Sequence, residues 1–229
     1  MLSFTEENYL KALVELTVFD ADSDEVGVNR LATCLEVKPA TVSDMVRKLR
    51  NKSLVNYEKY GKVSLTSEGR LKGMMVIRRH RLWETFLSSK LGFSWDEVHE
   101  LAEELEHIHS EKLINRLDEF LDFPEFDPHG DAIPNQKGEI LLPFRRTLSE
   151  IEVGKRHRIS AVRDQTEVLQ YMDRIELKIN QEVTIEHREA FDGLTTITYG
   201  NRTSVVSPKL TENIFVVCAE CGKAKCSCK

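Results

Sequence analysis

The chain has 229 residues, 41% of them apolar and 31% charged, an ordinary soluble composition with enough apolar material for one or two packed domains. No run of 18 apolar residues exists, which excludes a transmembrane helix, and the opening MLSFTEENYLKAL lacks the basic and apolar regions of a signal peptide, so a cytoplasmic protein with no membrane partner is expected. The net charge of −6 hides an asymmetry: Lys38 to Arg81 carries 12 basic and 3 acidic residues (net +9), whereas Leu82 to Gly130 carries 3 basic and 13 acidic residues (net −10).

In chain order, residues 5–19 read as an amphipathic helix with Tyr9, Leu10, Leu13 and Leu16 on its apolar side. Asp20 to Glu25 is a polar loop. Residues 28–36 carry Leu31, Ala32 and Leu35 at helical spacing, and Val37 and Lys38 make a short turn. Pro39 suits the first position of the next helix, about 39–51, which repeats Val42, Met45, Val46 and Leu49. Two short β-prone runs follow, Leu54–Glu58 and Val63–Thr66, on either side of a loop with Gly61. Helix, turn, helix and hairpin in that order predict a winged helix-turn-helix.

In such a motif the second helix enters the major groove, and its first residues reach base edges. Lys38, Pro39, Ala40, Thr41, Ser43 and Asp44 occupy that front. Thr41 and Ser43 offer hydroxyls, while Pro39 and Ala40 suit a thymine methyl. Arg47, Lys48, Arg50 and Lys52, with Lys59 and Lys62 in the wing, suit phosphate contacts. Double-stranded DNA is therefore the expected partner, against the plainer reading of a trihelical bundle with a polar surface.

Thr66 or Ser67 caps a long helix, about 67–90, that carries His80 and Glu84 at i and i+4. Ser94 and Glu97 have capping-box spacing and open a helix running toward His107. It carries His99, Glu103, Glu106 and His107, offsets that share one helical face. A divalent cation relieves the repulsion along such a stripe, and imidazole with carboxylate suits Mn²⁺, Fe²⁺, Co²⁺ or Zn²⁺. A solvated acidic helix with incidental histidines is the bland alternative. A metal-dependent hydrolase is a second reading and a metal-independent winged-helix interaction module a third. No H-E-x-x-H, G-x-S-x-G or P-loop pattern supports an enzyme.

A helix from Ser110 to about Asp122 and a loop rich in proline from Phe123 to Pro143 follow. Residues 151–217 hold short β-type runs around a helical turn near 165–172, a small β-barrel of about 65 residues. The last twelve residues contain Cys218, Cys221, Cys226 and Cys228 as C-x₂-C-x₄-C-x-C. Four thiolates can close a tetrahedral Zn²⁺ site; reduced thiols in a disordered tail are the alternative. The fold class is mainly α with a small β domain.

The motifs ATVSDMVRKL, YEKYGKVSLTSEG, IRRHRLWETFL, VHELAEELEHIHS and DPHGDAIP together resemble the diphtheria toxin repressor family of metalloregulators, in its manganese-responsive branch, over the chain to about residue 217. The resemblance implies a winged helix-turn-helix over 1–73, a helical dimerisation and metal domain over 74–143, an SH3-like domain over 144–217 and a Cys-rich tail over 218–229. It implies a homodimer that represses metal-uptake genes from a palindromic operator, with Mn²⁺ or Fe²⁺ as corepressor. It assigns Glu103, Glu106 and His107 to a principal site with the matching first-helix position, Asn8, where the family carries Asp or Met. Lys11 stands where the Asp-bearing branch often adds Glu; as a cation it cannot coordinate, which speaks against a binuclear site of that subtype. An ancillary site takes His80, Glu84 and His99, with Asp164 and Glu167 as added ligands. Iron-responsive relatives carry Cys at position 103; Glu103 and the rest of a hard donor set rank Mn²⁺ ahead of Fe²⁺.

Overall fold

The computed structural model describes residues 2–19, 23–57, 61–140, 145–163 and 165–219. They form two compact units. One holds the N-terminal segment to Gly92, His99–Glu125 and the segment beginning at Ile133; the other holds Phe93–Val98, Phe126–Ala132 and the C-terminal segment.

The first unit starts with α1 (Phe4–Val14), whose N-cap Ser3 and Glu6 form a reciprocal capping box. The expected single helix to residue 19 changes pitch instead: Glu15–Phe19 is a wider π-helical stretch. A strand unforeseen in the sequence, β1 (Glu25–Gly27), follows and sets buried Val26 opposite Val63. Then come α2 (Val28–Cys34), α3 (Pro39–Asn51), β2 (Val55–Tyr57) and β3 (Lys62–Leu65), with sheet order β1-β3-β2. Leu10, Leu13, Leu31, Val42, Val46, Leu49, Leu54 and Val63 form the core beneath α3. That burial fixes the roll of α3 and leaves its polar face outward.

The long helix α4 (Ser67–Leu91) is capped by the Thr66 hydroxyl, which accepts from the Gly69 N–H, and ends at Gly92 in the left-handed conformation. A side chain at position 73 would put its Cβ 2.7 Å from the Leu10 carbonyl oxygen and 2.6 Å from Val14 Cγ2, so Gly73 lets the backbones of α1 and α4 approach. That crossing lies two helical turns before His80. Helix α5 (Trp95–Leu105) belongs to this unit from His99 onward, and α6 (Glu111–Phe120) completes the set, with Ile114 and Leu117 of α6 packed with Leu82 of α4 and Ile133. Arg78 on α4 is buried, paired with Asp118 of α6 at 2.8 Å and donating to the Pro134 carbonyl at 2.9 Å.

The second unit is an antiparallel six-stranded sheet in the order β4-β9-β5-β6-β7-β8. Its strands are β4 (Arg146–Thr147), β5 (Arg156–Val162), β6 (Glu182–Arg188), β7 (Thr195–Tyr199), β8 (Arg202–Val206) and β9 (Ile214–Cys218). Register shifts at Ile159/Ala161 and Ile185/His187 mark bulges, the usual device for bending a small sheet. Helix α7 (Thr166–Ile175) is longer than the expected turn and adds Val168, Leu169 and Met172 to the core; α8 (Pro208–Thr211) adds Leu210.

Candidate metal centre

His80 and Glu84 lie one turn apart on α4, and both are buried. His80 Nε2 is 2.9 Å from Glu84 Oε1, and His99 Nδ1, on α5, is 3.5 Å from the same oxygen. The two imidazoles meet edge to face with centroids 5.0 Å apart. One donor atom from each of His80, Glu84 and His99 lies within 4.8 Å of the others. Two ligands on opposite sides of one ion stand about 4.3 Å apart, so this set fits a single divalent cation with small adjustment. Three protein donors leave a coordination position open. The chemistry of the set, two imidazoles and a carboxylate with no thiolate, suits Mn²⁺, Fe²⁺ or Zn²⁺.

The expected continuous stripe on α5 is broken. The helix ends at Leu105, and Glu106 and His107 lie in the turn beyond it. The Glu106 N–H still donates to the Ala102 carbonyl at 2.8 Å, and Ser110 caps α6 only four residues later. Glu106 is buried and its Oε2 is 2.6 Å from His80 Nδ1 and 2.7 Å from Lys11 Nζ. His107 lies with Nδ1 2.7 Å from Glu7 Oε2 and stacks on Phe4 at 4.4 Å, so it meets α1. Arg79 Nη2 reaches the other Glu7 oxygen at 2.7 Å, and its Nε donates to the Glu106 carbonyl. His109 Nδ1 is 3.6 Å from Glu7 Oε1. Glu103 is largely exposed, with Oε1 3.5 Å from His99 Nε2.

The electrostatics follow from these contacts. Burial pulls the Lys11 pKa down, but the charges of Glu106, Glu15 and Glu103 outweigh it and hold the pKa above its usual value. Burial opposes ionisation of Glu106, and the hydrogen bond from His80 with the Lys11 charge overcomes it, so its pKa is lowered. Burial likewise disfavours a charged His80, yet Glu84 and Glu106 raise its pKa above the ordinary histidine value. The hydrogen bond from His99 lowers Glu103 to about 2.

Asn8, the expected first-helix ligand, is exposed; the α1 side chains that reach this cluster are Glu7 and Lys11. Glu7, Arg79 and His109 were not singled out from the sequence. Glu7 and Lys11 at i and i+4 share one helix face, which was the available signal. Glu167 is exposed in the first turn of α7, and Asp164 lies outside the described residues.

On α3, Lys38, Pro39, Ala40, Thr41, Asp44, Arg47, Lys48 and Arg50 are exposed and Ser43 is partly so, while Val42, Val46 and Leu49 face the core. Ser43 Oγ donates to the Pro39 carbonyl at 3.0 Å, and Arg47 pairs with Asp44 at 2.5 Å. Arg50 Nη1 donates to the Tyr57 carbonyl in β2 at 3.3 Å. Lys52 pairs with Glu6 of α1 at 2.7 Å, and Lys62 is exposed in the wing. Lys59 lies outside the described residues. Cys218, at the end of β9, is buried, and Cys221, Cys226 and Cys228 lie outside the described residues.

Residues 1–63 match the iron-dependent repressor N-terminal DNA-binding domain, residues 66–135 its metal-binding and dimerisation domain, and residues 146–218 the FeoA domain. A solved manganese-dependent transcriptional repressor in complex with manganese is 34% identical with a TM-score of 0.83, covering 93% of this chain and 99% of that one. The chain belongs to the iron-dependent repressor family. These are metal-responsive DNA-binding regulators rather than enzymes, so the hydrolase reading is set aside. The solved manganese regulator SloR is 33% identical with a TM-score of 0.74, covering 93% of this chain and 97% of that one. The iron-dependent repressor IdeR of Mycobacterium leprae is 34% identical over 134 residues, 57% of this chain and 55% of that protein. The chain spans little more than half the length of the curated repressors it matches here, 55% of that IdeR and 59% of the diphtheria toxin repressor of Corynebacterium glutamicum. Among the described residues, no helix is long and apolar enough to cross a membrane.

Proposed function

We propose that the chain is a cytoplasmic repressor of metal-uptake genes that binds a palindromic operator as a homodimer, with Mn²⁺ as its corepressor and Fe²⁺ second in rank. One observation carries this reading. The donor set of His80, Glu84 and His99 shares a compact unit with the winged helix, and α1 packs across α4 two turns from His80. A site there is mechanically continuous with α3.

His80, Glu84 and His99 would hold the ion. A bound divalent cation supplies positive charge among these donors and favours one arrangement of α4 and α5. The other steps belong to the chain's own residues. Glu7 accepts from Arg79 and holds His107, so α1 follows the segment beyond α5. Glu6 holds Lys52 at the end of α3, so α3 follows α1. Two recognition helices engage one operator only when about 34 Å, or a multiple of it, separates them. A metal that favours one arrangement therefore tightens DNA binding, and DNA tightens metal binding by the same factor.

Mn²⁺ ranks first because Glu103 stands where a thiolate would favour softer ions, and the candidate donors are all nitrogen and oxygen. Lys38, Pro39, Ala40, Thr41, Ser43 and Asp44 would face bases, and Arg47, Lys48 and Lys62 phosphates. The four tail cysteines would bind Zn²⁺ as thiolates. Selection of genomic DNA fragments in Mn²⁺, Fe²⁺, Zn²⁺ or chelator tests the whole reading. It is supported if Mn²⁺ enriches fragments upstream of metal-transport genes, and it fails if enrichment is the same with chelator.

A further inference from the structure

We infer that His157 is a ligand of a Zn²⁺ site at the end of the β unit, completed by the thiolates of Cys218, Cys221 and one of Cys226 and Cys228. This rests on the proposed Zn²⁺ binding by the tail and refines its donor set: an imidazole from β5 takes the place of one of the four thiolates. Strand pairing carries the argument. β5 and β9 run antiparallel with His157 directly opposite Cys218, in register with Ile159 opposite Val216. Residues opposite one another in such a pair project from the same face, with Cβ atoms about 4.5–5.5 Å apart. Ile159 and Val216 are buried in the core, so theirs is the inner face, and His157 and Cys218 are the last pair along it. Zn–S bonds of about 2.3 Å and Zn–N bonds of about 2.0–2.1 Å put the sulfur and nitrogen of one tetrahedral ion about 3.5 Å apart, a separation that side-chain rotation gives such a cross-strand pair.

The ring is already set for a metal. His157 Nδ1 lies 3.3 Å from the Lys155 carbonyl oxygen. A carbonyl only accepts, so Nδ1 carries the proton and Nε2 the lone pair. A backbone carbonyl on the other ring nitrogen is a common partner of a ligating histidine and fixes its tautomer and orientation. Cys218 and Cys221 have the C-x₂-C spacing of structural zinc sites, and Cys226 and Cys228 follow within the next seven positions. Four thiolates and one imidazole are five donors for four positions. Donors fixed on a sheet enter at lower ordering cost than donors brought in from a chain end. His157 and Cys218 therefore take two positions, the tail supplies the other two, and one of Cys226 and Cys228 is a spare thiol. Three thiolates leave the Zn²⁺ complex with one negative charge, which the charges of Arg146 and Lys155, both felt at His157, offset. Sulfur donors favour Zn²⁺ over Mn²⁺, so this site and that of His80, Glu84 and His99 take different ions.

The test loads reduced full-length protein with Co²⁺ or Cd²⁺ as spectroscopic stand-ins for Zn²⁺. The thiolate-to-cobalt charge-transfer band reports this site and not the helical one, because His80, Glu84 and His99 bring no sulfur. The wild type is expected to show the band of three thiolates, and a cadmium NMR signal at the shift of three sulfurs and one nitrogen. His157→Ala is expected to let the spare thiolate take the vacated position. The band then grows by about a third, the cadmium signal moves to the four-sulfur shift, and Zn²⁺ affinity, read by displacement of Co²⁺, falls at least about tenfold. Cys226→Ser and Cys228→Ser are each expected to keep the wild-type band, since either thiol serves, and the double variant to lose about a third of it. A four-sulfur cadmium signal in the wild type would overturn the inference and leave Zn²⁺ binding by the tail standing; this readout needs no variant, so it holds even where His157→Ala fails to fold. A folded His157→Ala protein with unchanged band and affinity would overturn it in the same way. Absence of any charge-transfer band from the wild type would sink the tail reading and this inference together.

Discussion

Glu7 of α1 and His107 beyond α5 meet at 2.7 Å across a hundred positions of sequence, with Arg79 of α4 on the second Glu7 oxygen at 2.7 Å. This junction joins the DNA-reading half of the unit to the metal-bearing half. Its side chains are 5% to 12% exposed, so removing one partner strands charge in a poorly solvated place. Glu7→Ala is expected to destabilise the metal-free protein by about 3 kcal/mol. Urea unfolding measures this, and a loss within about 0.5 kcal/mol of zero would mean that the junction is ornamental.

Gly73→Ala tests the same coupling through packing. The new methyl would stand 2.7 Å from the Leu10 carbonyl oxygen, a backbone atom that cannot swing aside. The expected cost is about 1–3 kcal/mol, with α1 pushed away from α4. Thermal unfolding reads the stability, and faster amide exchange in α1 than in α6 reads the location.

The helix-turn-helix was legible because Val42, Val46 and Leu49 repeat at helical spacing behind Pro39, and because glycine and β-branched runs punctuate the wing. The His80/Glu84 pair was legible for the same reason, one helix and one face. Three features were not. Strand β1 is three residues long, too short to show alternation. Helix α5 stops before Glu106 although its charge pattern runs on. Periodicity also says which residues share a helix face, but not how that face is rolled against a neighbour. Asn8 was assigned only through the resemblance, and it is the α1–α4 crossing at Gly73 that leaves Asn8 exposed and Glu7 buried.

Proton and metal compete for His80. Its folded pKa is raised above the usual 6.5 by Glu84 and Glu106 against the opposing effect of burial. In the metal-free protein that contribution to stability is complete below pH 6.5 and is lost as pH rises through the folded value. Metal binding needs the neutral ring, so Mn²⁺ affinity has the opposite trend. It is expected to rise with pH across that window by up to about tenfold per pH unit for one displaced proton. Calorimetry in buffers of different ionisation enthalpy counts the proton; a flat affinity and no proton release would contradict the assignment.

On the DNA side, Arg47→Ala and Lys48→Ala are each expected to weaken binding to all sequences alike and to reduce the slope of log affinity against log salt by about 1. Asp44→Asn releases Arg47 from its 2.5 Å ion pair and is expected to steepen the slope. Fluorescence anisotropy over a salt series reads all three. Unchanged slopes in the two alanine variants would move the phosphate contacts off α3.

The central claim is that the ion held by His80, Glu84 and His99 controls operator affinity, and Glu84→Ala is its sharpest probe. Operator binding should be compared for wild type and variant in saturating Mn²⁺ and in chelator. The account predicts that Mn²⁺ tightens wild-type binding by at least about tenfold and leaves the variant's binding unchanged; a variant that responds to Mn²⁺ as strongly as the wild type would contradict it.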